Sequence, residues 1–268
     1  MIELIEAIVL GIVQGLTEFL PVSSSGHLEL VKFLVGDKAS GQQSLLMTVV
    51  LHFATALATI FVFRDDIKLL LSQVFSHPRN EGHHFALKIV ISMIPAALIG
   101  LLFEDLIEGL FSQRLVLVGI ALMVTALLLI IADRAKRTDK NVTNFFAFTI
   151  GLAQAVAIIP GISRSGATIA TAVLLRVDRD QAARFSFLMV VPLILGKIAK
   201  DFLFGDLFLV ENFALLAAGF FASFITGIIA CIWMLKLVRN ARLRFFGWYC
   251  ILVGFLSIAF GMGLFSYA

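Results

Sequence analysis

Long apolar runs separated by short charged connections dominate the chain. Six of them, at 45–63, 85–103, 115–132, 185–203, 213–235 and 245–265, match the roughly 20 apolar residues that a helix needs to cross a bilayer. Two further apolar stretches, near 4–20 and 145–159, behave differently. Each runs into a proline and then a Ser- and Gly-rich cluster, and a second short apolar stretch follows. Proline ends a helix and serine caps the next one, so these segments predict helix–break–helix units. The pattern predicts an all-α polytopic membrane protein, with about six transmembrane helices plus two helical hairpins.

Composition agrees: 60% of the 268 residues are hydrophobic and 15% charged, against about 25% charged in soluble domains. Phe occurs 26 times, which suits lipid-facing packing. The net charge of +3 resides in the connections and calls for no nucleic-acid partner. Cys231 and Cys250 lie in apolar runs with no disulfide or zinc spacing and are expected as small core residues. No basic stretch precedes the first apolar run, so a cleaved secretory signal is not expected.

An internal repeat organises the chain. Gly11-Ile-Val-Gln14 recurs as Gly151-Leu-Ala-Gln154, and Ser23-Ser24-Ser25-Gly26 recurs as Ser163-Arg164-Ser165-Gly166, both at an offset of 140. Pro21 and Pro160 precede the serine clusters at an offset of 139. We read one integral-membrane domain, 1–268, with repeat one at 1–135 and repeat two at 141–268. The basic residues Arg64, Lys68, Arg79 and Lys88, then Arg134, Lys136, Arg137 and Lys140, then Lys236, Arg239, Arg242 and Arg244, cluster in three connections. The loops near 36–44, 104–114 and 204–212 hold only Lys38 and Arg114. By the positive-inside rule the three basic connections are cytoplasmic. Each repeat then carries three crossings, an odd number, so the two are inverted. The motif segments, 4–35 and 144–175, must return to the side they entered, as re-entrant hairpins. Inverted repeats with broken helices place their sites near the midplane. The rival topology, with 4–20 and 145–159 as full spans, breaks the distribution of basic loops.

The motifs carry the chemistry. Glu18 is the sole charge between Ala7 and Gly26, and Gln14 lies four residues before it, on the same helix face. Pro21, Ser23, Ser24, Ser25 and His27 follow. In the second motif Arg164 is the sole charge from Asn141 to Leu175, flanked by Ser163, Ser165 and Thr168. An arginine inside an apolar segment is a functional-site signal, and its planar fork matches phosphate. Helix N-termini with nearby hydroxyls bind anions. A serine cluster after proline is by itself an ordinary cap, and Glu18 with Arg164 could form a merely structural pair. One acid, one guanidinium, one imidazole and five serines in two related loops point instead to an anion site. Glu18 with Gln14 could hold a divalent cation, Mg2+ or Ca2+, through oxygen. Ser24, His27 and water all stay open as the nucleophile, and His27 as acid, base or phosphohistidine.

At these residues the chain resembles the undecaprenyl-pyrophosphate phosphatases, the integral-membrane bacitracin-resistance family. Gln14-xxx-Glu18 fits the family's (E/Q)xxxE signature, PVSSSGH its following loop, and PGISRSGAT its PGxSRSxxT signature. Gln14 is the Gln variant of the first acid, which weakens any metal role there. The resemblance implies removal of the terminal phosphate of a C55 polyprenyl pyrophosphate lipid, recycling the cell-wall carrier. It also implies a bacterial inner-membrane location with the site open to the extracytoplasmic side, divalent-metal dependence and an inverted-repeat fold. By resemblance Glu18, Ser24, His27 and Arg164 are catalytic, and Gln14, Ser23, Ser25, Ser163, Ser165 and Thr168 line the phosphate pocket. The alternative reading is a transporter or flippase of an anionic lipid phosphate, since inverted repeats with broken helices also serve transport. A homodimer is compatible with the pattern and stays open.

Other polar residues are expected to be structural. His52 could approach the site but is read as a packing residue within its apolar run. His77, His83 and His84 are read as a solvated loop, and Asp65–Asp66 as a solvated helix end. Lys197, Lys200 and Asp201 are read as pairing or meeting head groups near a span end. Arg176, Asp178, Arg179, Asp180 and Arg184 are read as a structural connection.

Overall fold

The computed structural model describes residues 2–35, 41–76, 80–103, 106–107, 109–110, 114–136, 138–204, 212–239 and 242–264. Among them are eleven helices and a single isolated backbone bridge, with no strand. In chain order they are α1 (Ile2–Phe19), α2 (Ser24–Val35), α3 (Gly41–Val62), α4 (Arg64–Ser76), α5 (Glu81–Leu102) and α6 (Leu115–Asp133). They continue as α7 (Asn144–Val156), α8 (Arg164–Leu174), α9 (Arg179–Phe204), α10 (Phe213–Arg239) and α11 (Leu243–Gly261). The loops expected to be poor in basic residues, Arg79, Arg137, His77 and the end of the run 245–265 lie wholly or partly outside the described residues.

Among the described residues four helices, α5, α6, α10 and α11, are long and apolar enough to cross a membrane. The run 45–63 does not end as one straight span. Leu46–Val62 and Arg64–Phe75 qualify together as a fifth candidate, bent by 76°. The bend sits at Phe63, just before the charged Arg64-Asp65-Asp66 that leads α4 off the α3 axis. The run 185–203 is helical within α9, with Pro192 inside the helix, and is not among these candidates.

Backbones approach closely where small residues line up, a packing mode suited to helices in lipid. Gly11 and Gly15 of α1 face Gly219, Ser223 and Gly227 of α10. A methyl group on Gly15 would lie 2.6 Å from the Ser223 carbonyl oxygen. The corresponding helix of the second copy, α7, packs against α5, with Gly151 seated on Ser92. α6 and α11 pair with each other through Gly119 and Gly254.

Polar caps set the helix ends. Thr143 accepts the Phe146 N–H at 3.2 Å and Asn80 accepts the His83 N–H at 3.0 Å, each satisfying a donor that the first turn leaves open. Asp178 accepts from the N–H groups of Asp180 and Gln181 at 3.0 and 3.1 Å. Asp133 accepts from Leu243 N–H at 2.8 Å. The expected structural connection is that: Arg179 donates to the carbonyls of Asp133 and Ala135 at 3.2 Å, closing the C-terminus of α6. Arg184 pairs with Asp66 at 2.8 Å and Arg239 with Asp180 at 2.6 Å. One end of the bundle therefore gathers the charged ends of α4, α6, α9, α10 and α11. Asp66 is thus tied rather than simply solvated.

The hairpin α7–α8 starts and finishes at that charged end. Lys140 and Val177 bridge in parallel, and the Asp178 N–H donates to the Lys140 carbonyl at 2.8 Å. The chain enters at Lys140, runs inward through α7, turns at 157–163 and returns through α8 to the point where it left.

Candidate functional site

Each motif folds into the same local device. In the first, Ser23 accepts the Gly26 N–H at 3.2 Å, and its hydroxyl lies 3.3 Å from that of Ser25. In the second, Ser163 accepts the Gly166 N–H at 3.0 Å, and its hydroxyl lies 3.3 Å from that of Ser165. The turns that deliver them differ. Ser23 takes a left-handed conformation at φ 71°, whereas Gly161 takes it in the second loop at φ 96°. That region strains any residue with a side chain, and only glycine fits the second turn, because a methyl group at Gly161 would lie 2.5 Å from the Val118 carbonyl oxygen.

The loops pack reciprocally. Gly26 faces the Gly161 backbone and Gly166 faces Pro21. Ser165 donates to the Leu20 carbonyl at 3.2 Å, and the Ser163 N–H is held by Thr125 of α6 at 3.0 Å. Two segments 140 residues apart in sequence thus become one centre.

Glu18 sits in its middle, 8% exposed. One carboxylate oxygen is paired with Arg164. The other accepts from the Ser24 hydroxyl at 2.7 Å and from the Gln14 amide at 3.0 Å. Thr168, one turn into α8, donates back to the Arg164 carbonyl at 2.8 Å and meets Ser186 of α9. Thr168 therefore braces α8 against α9. Its hydroxyl is committed to that bracing, and its expected place in the pocket lining is untested.

His27 is buried, three residues beyond Ser24 on α2. Its Nδ1 lies 2.8 Å from the Ser23 carbonyl and its Nε2 2.8 Å from the Tyr249 hydroxyl of α11.

His52 is not simply a packing residue: its Nε2 reaches to 4.0 Å from Glu18 and its side chain is 30% exposed. Its Nδ1 is held by the Thr48 carbonyl at 2.8 Å. Tyr249 carries no signal in the sequence. Buried polar atoms also lack a hydrogen-bond partner among the described residues: Arg164 Nη1, Gln14 Oε1 and both amide atoms of Gln154. Such atoms are rare and call for a reason. Four of the buried atoms of this kind belong to Gln14, Gln154 and Arg164.

Among the described residues no three His, Cys, Asp or Glu side chains cluster as a metal site. What exists is one carboxylate and the open Gln14 Oε1. That oxygen-only pair suits a hard cation that keeps substrate phosphate and water as its other ligands. Cys231 and Cys250 are buried free thiols, as expected, and Cys250 rests 3.7 Å from the Pro21 carbonyl oxygen.

The family described as bacitracin resistance protein BacA matches residues 7–256. The chain is 56% identical over 259 residues to a protein named undecaprenyl-diphosphatase from Christiangramia forsetii, covering 96% of this chain and 98% of that one. A protein of the same name from Parabacteroides distasonis is 42% identical, with 95% and 97% covered. Another from Methanobrevibacter smithii is 36% identical, with 95% and 96% covered.

Proposed function

Because this chain belongs to the bacitracin resistance protein BacA family, we propose that it is an undecaprenyl-diphosphatase, a multi-pass membrane hydrolase that cleaves the terminal phosphate from undecaprenyl pyrophosphate. The observation that carries the reading is the buried junction of Arg164, Glu18 and Ser24 where the two loops meet. Arg164 holds the terminal phosphate: Nη1 is open, and an incoming phosphate oxygen competes for the guanidinium against Glu18. Released in this way, Glu18 is free to take the Ser24 proton. Ser24 Oγ attacks the terminal phosphorus, the anhydride P–O bond breaks and undecaprenyl phosphate leaves with the electron pair. Water then cleaves the phosphoserine, with His27 Nε2 as its base. The N–H groups opening α2 and α8 face the same charge. Gln14, Ser23, Ser25, Ser163 and Ser165 line the phosphate pocket. A divalent cation, Mg2+ or Ca2+, held by Glu18 and the open Gln14 Oε1 would neutralise charge on the pyrophosphate oxygens.

The same reading places two inverted repeats, 1–135 and 141–268, in the bacterial inner membrane, with α1–α2 and α7–α8 as re-entrant hairpins and the site open to the extracytoplasmic side. Three observations support it. α7 has 13 residues, about 20 Å of helix against a hydrocarbon core of about 30 Å. The hairpin's two ends meet at Lys140 and Val177. The arginine-rich end of the bundle fits the cytoplasmic side, and the 11 residues of α8 put Arg164 about 16 Å above it, near the midplane.

The deciding assay is phosphate release from undecaprenyl pyrophosphate by the purified protein with Mg2+ or Ca2+ present. Stoichiometric phosphate and undecaprenyl phosphate are expected. No release, with the lipid still crossing proteoliposome membranes, would establish the transporter alternative.

A further inference from the structure

His27 and Tyr249 are 222 positions apart in sequence and form one unit. Their rings are near parallel, 7° apart in plane with centroids at 5.6 Å, within the range of favourable aromatic pairs. The Tyr249 hydroxyl lies 2.8 Å from Nε2, and Nδ1 lies 2.8 Å from the Ser23 carbonyl oxygen. A carbonyl oxygen only accepts, so Nδ1 carries the hydrogen of its bond. In the neutral ring Nε2 then accepts, and the tyrosine hydroxyl is the donor.

We infer that Tyr249 is a positioning residue for the phosphatase reaction: the Ser23 carbonyl sets the Nδ1–H tautomer of His27, and the Tyr249 hydroxyl fixes the plane of the ring so that Nε2, the basic nitrogen, stays in place. The two bonds are complementary, since the Ser23 carbonyl alone fixes one ring nitrogen but leaves the plane free to swing. The neighbouring Cys250 contact with Pro21 sets the α11 backbone against the first loop, so the hydroxyl is presented from a fixed helix. The second repeat thereby adds to the first loop a contact that neither motif contains.

This rests on the proposed role of His27 as base, and the test separates the two. Tyr249→Phe keeps the ring and its stacking and removes only the donor. Two readouts are taken on the purified protein: the ring-nitrogen NMR signals of His27, assigned with His27→Asn, and steady-state phosphate release. Wild type should show the Nδ1–H tautomer alone. The Phe variant should keep that tautomer and show a displaced and broadened Nε2 signal, because the ring has lost its second bond. Its kcat should fall about tenfold, a part of what a positioned base contributes, with KM changed by less than about twofold and thermal midpoint unchanged. An unaltered Nε2 signal, or a loss confined to KM or to the thermal midpoint, overturns the inference. If wild type releases no phosphate, the phosphatase reading falls while the Nε2 signal still decides whether Tyr249 positions His27.

Discussion

The two loops are built alike and do different work. Both cap a helix with a serine three residues before a glycine, both pair that serine with the second one after it, and each glycine rests on the other loop. Yet at the same repeat position the first loop has Ser24 and the second Arg164. Where the first has Glu18 and His27, the second has Ile158 and Ala167. Under the proposed mechanism the nucleophile, the acid and the imidazole come from the first loop and the guanidinium from the second, so three positions that differ between two similar loops would separate phosphate binding from proton transfer. Gln14 and Gln154 are the polar pair that both segments keep. Both are buried and both keep amide atoms without a protein partner among the described residues.

The comparison breaks most sharply at Arg164. Arg164→Ala should lower kcat/KM by about 10³-fold or more, the scale of an arginine serving a transferring phosphoryl group. Arg164→Lys should recover only part of it, because a point charge lacks the fork. Phosphate-release kinetics check both, and full rescue by lysine would reduce the role to charge alone. Next comes Glu18→Gln, expected to cost about 10²- to 10³-fold in kcat through loss of the base. Its dependence on added divalent cation should weaken in the same titration. A smaller effect is expected at His52, which approaches Glu18 across 4.0 Å from a partly exposed position. His52→Gln should lower kcat/KM by about fivefold, as fits a weak, screened interaction. The shared scaffold is tested at the caps. Ser23→Ala and Ser163→Ala should each destabilise by about 1 kcal/mol, read as similar shifts in thermal midpoint. A large difference between them would mean that the two caps are not equivalent supports.

Apolar runs, broken helices and the repeat were legible because each leaves a local mark: length, proline, or matched spacing. The meeting of Glu18 with Arg164 was legible for a related reason. Single charges in apolar segments need partners, and each loop offered one. What escaped has no local mark. His52 lies in an unbroken apolar helix, and only the packing of α3 against its neighbours decides which face of that helix turns to Glu18. Tyr249 sits in a run that reads as plain lipid-facing helix, and its partner is on the far side of the sequence. The bend at Phe63 was missed because apolar content continues through it, although the charged Arg64-Asp65-Asp66 that follows was the available signal. Gln154 served only to register the repeat. Its match to Gln14 was a fair hint that it is buried for a polar reason.

The central claim is that both loops close on one pyrophosphate, with Arg164 as its clamp. The most direct measurement is calorimetric binding of a non-hydrolysable farnesyl methylene-diphosphonate to purified wild type, Arg164→Ala and Glu18→Gln. With no divalent cation present, the account predicts tight binding by wild type, a loss on the order of 100-fold for Arg164→Ala, and affinity kept or raised for Glu18→Gln, because the carboxylate no longer competes for the guanidinium. Equal affinity of wild type and Arg164→Ala would contradict it.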